Sequence, residues 1–342
     1  MELRAPLIAI FSSLFLIFFP LEGSYTLKKG KFLPTKELTT LSAQEHYTFL
    51  LAALQEENWQ TVEYQSTLLI KNFPDSPFYQ EAVYYLASAH FYQQDYDLAN
   101  QYLTEYLQHQ TVLKHFYEAL ELKFQIAEKF RLGSKKHLGG FSFLPKCISA
   151  KEEALAIYEE VINTLPNDDL AAKSLFGKAV LLMEEGEYTA SIEAHQALIR
   201  HFPKHPITPN AYLEIGKTYL IESQQKSPDA DYLELALINL KKFRQDFPND
   251  SRLTQAEALF AEMQEEYAKS FYEIAQFYER THKKQAAILY HSKIIKTFPN
   301  TKTALLSKKK IKKLQGTPSQ IPAASSKIAP HESADSSSPP SS

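Results

Sequence analysis

A chain of 342 residues with a formal net charge of -3, from 37 Lys and Arg against 40 Asp and Glu, gives no support for a nucleic-acid partner, which would need a concentrated basic face. Only 9 Gly stand against 20 Tyr and 22 Phe, which suits an all-helical packed array. The single cysteine, Cys147, excludes an internal disulfide.

Residues 1–25 read as an export signal. Arg4 supplies the positive end, and Leu7 to Phe19 is apolar but for Ser12 and Ser13. That run is short for a spanning helix, which needs ~20 residues, so cleavage near Gly23 and Ser24 is favoured over an uncleaved anchor. No cysteine lies near residue 20 to accept a lipid. Residues 26–41 form a basic and polar lead-in. From Ser42, which has Glu45 at the capping-box spacing, helices are expected in pairs.

The pairs are 43–57 with 59–72, 77–93 with 95–110, 112–131 with 149–164, 168–185 with 187–201, 207–224 with 230–246, and 251–281 with 283–297. Their basis is a ladder of small residues. Ala275 is followed by Ala287 and then Pro299 at intervals of twelve, and Ala179, Ser191 and Pro203 repeat both spacings. Ala87 and Ala99, Ala127 and Ala154, Gly216 and Ala236 continue it, with Leu50 and Val62 as a degenerate first copy. A small residue in each helix lets the pair cross closely, and proline ends the second helix because it cannot donate the next backbone bond. The interval from a terminal proline to the next small residue is thirteen for Pro74 to Ala87, Pro166 to Ala179 and Pro203 to Gly216. Before Ala275 it is longer by fourteen, so that helix should begin early, near Ser251. Residues 42–314 therefore read as an all-α superhelix of the tetratricopeptide type, about six helix pairs plus a capping helix over 302–314. The loop Leu132 to Cys147 is long for this architecture. From 315 to 342 the chain turns to Ser, Pro and Ala and should be disordered.

No catalytic motif survives inspection: there is no phosphate loop, no G-x-S-x-G, no H-E-x-x-H and no cysteine pair for zinc, so neither an enzyme, a metal site nor a cofactor is expected. His137 with Cys147 reads as a surface imidazole and a loop thiol. The positive signal lies three residues before each first-helix small residue, at Tyr47, Tyr84, Phe124, Phe176, Leu213 and Tyr272. Two readings stand for this stripe: the wall of a peptide groove, or core packing, the commoner fate of apolar residues at helical spacing. Ser88, Phe91, Glu128 and Lys217, on the following turn, would then set polarity at the groove edge.

Three stretches carry a closer likeness: Phe247-Pro248-Asn249-Asp250-Ser251, the helix containing Tyr267-Ala268-Lys269-Ser270-Phe271-Tyr272, and Ala286-Ala287 with Phe298-Pro299-Asn300-Thr301. Over Leu198 to Leu314 the chain resembles the BamD-like family, tetratricopeptide scaffolds of the bacterial outer-membrane barrel assembly machinery. Tol-Pal coordinators share the aromatic-Pro-x-Ser boundary and supply the alternative reading; the long helix from Ser251 favours the first. The resemblance implies a periplasmic scaffold associated with the inner face of the outer membrane. Its C-terminal repeats would hold a barrel-inserting subunit, with Tyr272, Phe277 and Tyr290 as contact candidates, and its N-terminal groove would engage unfolded barrel precursors. Lacking a lipid-accepting cysteine after the signal, the chain would reach the membrane indirectly, through a partner or an uncleaved signal. Tyr290 stands where the family typically carries an arginine.

Overall fold

The computed structural model describes residues 25–28, 31–34, 41–108, 113–140, 143–225 and 230–316. The expected export signal lies outside the described residues but for Tyr25, and so does the tail beyond Gly316. The described helices are α1 (Ala43–Gln55), α2 (Trp59–Asn72), α3 (Tyr79–Tyr92), α4 (Tyr96–Leu107), α5 (Phe116–Arg131), α6 (Lys151–Thr164), α7 (Asp169–Glu184), α8 (Tyr188–His201), α9 (Thr208–Gln225), α10 (Ala230–Asp246), α11 (Arg252–Arg280), α12 (Lys284–Thr297) and α13 (Lys302–Gly316). This is the all-α tetratricopeptide arrangement that the ladder predicts, long α11 included.

The crossing residues explain why. Ala87, Ala99, Ala127, Ala154, Ala179, Ser191, Ala275 and Ala287 are all fully buried, as are Leu50 and Val62 of the degenerate first copy. At one crossing the Ser191 hydroxyl also donates to the Ala179 carbonyl at 2.8 Å. Helix starts and stops follow local chemistry. Ser42 and Glu45 form a reciprocal capping box, with the Glu45 amide donating to Ser42 Oγ and the Ser42 amide to Glu45 Oε2. Phe73, Phe202 and Phe298 end second helices with φ between -126° and -133° and ψ of 55° to 57°, since the proline that follows each bars the helical well. Turns between paired helices use a left-handed residue at Glu57, Gln94, Gly186 and His282, which stand seven residues after Leu50, Ala87, Ala179 and Ala275. The repeat therefore extends to the backbone of its turns.

The chain divides into two compact units, residues 1–222 with 235–256, and residues 223–234 with 257–342. In the first, successive helices from α1 to α8 pack as neighbours, and the first helices of adjacent repeats also touch, α3 with α5 and α5 with α7. Its largest core cluster runs from Val83 through Leu103, Tyr106, Ile126, Phe130 and Tyr158 to Leu181. In the second, α13 packs on α12. Two backbone amides at the start of α13, those of Lys302 and Thr303, donate to the Glu265 carboxylate at 2.7 and 3.1 Å.

One short hairpin precedes α1 and another lies between α5 and α6. β1 (Tyr25–Lys28) pairs antiparallel with β2 (Lys31–Pro34), starting at the last residue of the expected export signal and continuing within the expected lead-in. β3 (Lys135–His137) pairs with β4 (Lys146–Ser149) within and just beyond the long loop Leu132 to Cys147. That second hairpin is docked on α4 and α6. His137 is buried, its ring Nδ1 2.8 Å from Asp97 Oδ2, Lys146 pairs with Asp95, and Lys136 Nζ stands 3.1 Å from Glu153. His137 is thus a buried, carboxylate-paired side chain instead of the surface imidazole that the sequence suggests, while Cys147 is an exposed free thiol as expected.

Candidate functional site

The stripe of Tyr47, Tyr84, Phe124, Phe176, Leu213 and Tyr272 is half-buried except at Leu213, which is buried. Most of its members already touch a neighbouring helix or turn. Tyr47 stacks on Phe78 at 4.3 Å and donates its hydroxyl to Glu81 at 2.7 Å. Phe124 lies 6.2 Å from Tyr158, Phe176 meets His195 edge-on at 5.4 Å, and Tyr272 meets His291 at 5.2 Å. Of the edge candidates, Phe91 is buried in the core against Tyr96, so it forms no rim. Glu128 turns to Arg131 and Tyr158, and Lys217 to Glu214 at 2.7 Å. Neither carries an unpaired charge.

Tyr84 and Ser88 come together in an open cleft. It lies on the first helices of the opening repeats, has a volume of about 310 Å³, and continues from those two residues to Leu54, Trp59, Tyr85 and Tyr92 on one side and Glu118, Glu121, Leu122 and Gln125 of α5 on the other. The local sequence dictates this wall. Ser88 and Tyr92 are four apart on α3, and Glu118, Glu121, Leu122 and Gln125 follow the i, i+3, i+4, i+7 line of one face of α5. Trp59 sits at the first position of α2 behind the Asn58 cap, whose side chain accepts from the Thr61 amide, and its ring stacks on Tyr92 at 4.0 Å. Tyr92 is 54% exposed, so much of that aromatic pair faces outward. Ser88 Oγ donates to the Tyr84 carbonyl at 3.0 Å, closing its own polar demand. Burial pushes the Tyr84 hydroxyl up to about 12, so that hydroxyl stays neutral and hydrogen-bonding at any physiological pH. Trp59, Tyr92, Glu118 and Glu121 are not among the sequence candidates; continuing the helical line down α3 and α5 from Tyr84 would have reached all but Trp59.

In the second unit the three contact candidates are not gathered into one pocket. Tyr290 stacks on Tyr278 at 5.5 Å and lines a cavity of about 410 Å³ with Leu289, Ser292, Lys293 and Lys296. Leu289 is 68% exposed and Lys293 Nζ stands 4.3 Å over the Phe271 ring. Phe277 is half exposed on α11, and Tyr272 is committed to His291. Chemically, the molecule offers an aromatic cleft with carboxylates in one unit and an apolar, lysine-rimmed hollow in the other. Among the described residues no group of histidine, cysteine and carboxylate side chains is arranged to hold a metal ion.

The chain is similar to several proteins of known structure. The chain is similar to MamA, residues 41 to the end, from Desulfovibrio magneticus RS-1, at 15% identity over 61% of this chain and 97% of that one, with a TM-score of 0.35. It is similar to a tetratricopeptide repeat protein from Parabacteroides merdae ATCC 43184, at 13% identity over 80% and 98%, with a TM-score of 0.36. YrrB, described as a tetratricopeptide protein with an unusual peptide-binding site, is 14% identical over 66% and 94%, with a TM-score of 0.37. No curated protein matches the chain. A tetratricopeptide repeat model matches residues 81–109, which hold α3 and α4. The model of the YfiO family, described as outer membrane lipoprotein, matches residues 149–325, just over half of the sequence. The chain therefore belongs to the YfiO family, the BamD-like tetratricopeptide proteins that its proline boundaries and long α11 resemble.

Proposed function

We propose that the chain is a non-catalytic periplasmic scaffold in outer-membrane barrel assembly. Its first repeats receive extended segments of unfolded barrel precursors, and its last repeats hold the barrel-inserting subunit at the inner face of the membrane. The observation that carries the reading is the open aromatic cleft on the first helices of the opening repeats. A barrel strand alternates apolar and polar side chains, and each large apolar side chain seated between rings such as Tyr92 and Tyr84 is worth ~1.5–3 kcal/mol. The hollow beside Tyr290 supplies a separate apolar anchor, with Leu289 available to a partner.

A photo-crosslinker at position 290 in cells, followed by identification of the captured protein, tests the assembly role. Capture of an outer-membrane barrel subunit with periplasmic domains is the expected outcome. Capture of Tol-Pal or cell-wall components would move the function to envelope coordination.

A further inference from the structure

The charges of the cleft on the opening repeats are one-sided. Its lining holds two carboxylates, Glu118 and Glu121, and no Lys, Arg or His. Both are exposed, and neither makes a hydrogen bond or ion pair among the described residues. The cations close by are already engaged. Lys114 is bridged to Glu81 at 3.0 Å, and Lys173, whose field reaches Glu121, is bridged to Asp169 at 2.6 Å. Burial holds His115 below the ordinary histidine range, so it adds no positive charge near neutral pH.

The rest of the wall is π surface. Trp59 and Tyr92 stand stacked at 4.0 Å, and Tyr84 and Tyr85 meet edge-on at 5.4 Å. Aromatic faces carry negative potential, and a concave wall of low dielectric concentrates the field of two nearby carboxylates. Leu54 and Leu122 add a greasy patch beside it. Such a wall rejects an acidic segment. It complements a cation whose flanking atoms are apolar.

We infer that this cleft takes an extended peptide segment carrying an arginine or lysine next to an apolar side chain, with the cation held between the Tyr92 and Tyr84 rings and the Glu118 and Glu121 carboxylates. The inference rests on the reading of the cleft as a peptide groove and adds the charge of what it selects. The volume of about 310 Å³ lies at the small end of ligand pockets, enough for one long side chain and its neighbour but not for a folded domain.

Trp59 is the only tryptophan in the chain, so its emission reports this cleft alone. The full chain is titrated with three blocked peptides, Gly-Leu-Arg-Phe-Gly and its counterparts with Gln or Glu in place of Arg, with calorimetry as a second readout. The Arg peptide is expected to shift the emission saturably and to bind about tenfold tighter than the Gln peptide, the size of one exposed cation–π contact plus one exposed ion pair. The Glu peptide should bind more weakly still. In the double variant Glu118→Gln with Glu121→Gln, both exposed positions that leave the core untouched, the preference for the Arg peptide should fall to about two- to fivefold, the share of the cation–π contact alone. Equal binding of the Arg and Gln peptides to the unaltered chain would overturn the charge selection and leave the groove standing. Absence of binding by all three, in both readouts, would remove the groove reading as well.

Discussion

At Gly177 a β-carbon would stand 2.7 Å from Glu128 Oε1 and 2.7 Å from both the Cζ and the hydroxyl of Tyr158. Neither neighbour is free to retreat. Tyr158 is fully buried and donates to Glu128, which also accepts from Arg131 Nη2 at 2.7 Å. The glycine is therefore kept by packing at the junction of α5, α6 and α7 and not by any special backbone angle. Gly177→Ala should destabilise the fold by about 1–3 kcal/mol, the usual cost of an extra carbon in a filled core. Urea unfolding followed by circular dichroism would show it as a lower midpoint with an unchanged slope; an unchanged midpoint would mean that the Tyr158 ring can move aside. Lys123 is a second case of packing with a polar demand. Fully buried, it spends its three protons on Asn100 at 3.0 Å, Thr104 at 2.7 Å and Glu160 at 2.6 Å, a complete set for an ammonium.

Glu265 does for α13 what a capping side chain does within one helix, but from another helix. Its carboxylate accepts from the amides of Lys302 and Thr303 and from the Thr303 hydroxyl at 2.6 Å, and these bonds hold its pKa below the ordinary range against the opposing cost of burial. Glu265→Ala should cost about 0.5–2 kcal/mol, as loss of a cap does. Hydrogen exchange at residues 302 to 304 should quicken, and exchange as slow as in the unaltered chain would remove the capping role. None of this was legible in the sequence, because Glu265 and Thr303 are 38 apart. What was legible is what repeats: Ala and Ser at the crossings, and proline after Phe73, Phe202 and Phe298. The hairpin of β3 and β4 escaped notice for the reason that hid Glu265, since its anchor joins His137 to Asp97 forty positions away. The cleft was half legible. Tyr84 lies on the stripe, but the opening follows α3 down to Tyr92, where the one-residue-per-repeat count does not look. Phe91, beside Tyr92 in sequence, points to the core instead.

Across the whole molecule, acid acts in two windows set by different groups. Asp169 is held below the ordinary carboxylate range by Lys173 and His205, and Asp250 by Arg252. A carboxyl whose folded pKa is lowered contributes stability that is present above its unfolded value, about 4, and is lost as pH falls through the folded one. His195 acts earlier. Its ring is fully buried, its two nitrogens make no hydrogen bond among the described residues, and burial lowers its pKa to about 3. Below about pH 6.5 the unfolded chain takes up a proton there while the folded chain does not, so the unfolded state binds more protons and stability falls with pH, by up to ~1.4 kcal/mol per unit. His90 and His115, also lowered by burial, add to the same window, so one substitution should reduce the decline and not abolish it. His195→Leu keeps an apolar side chain against Phe176 and removes the titration. Between about pH 6.5 and 3 its urea midpoint should fall less steeply than that of the unaltered chain, and only below about pH 3, where the folded ring also takes up its proton, should the two fall in parallel as the shared carboxylates protonate. Parallel curves through the upper window would show that His195 gains its proton without unfolding, and that water reaches its ring between α7 and α8.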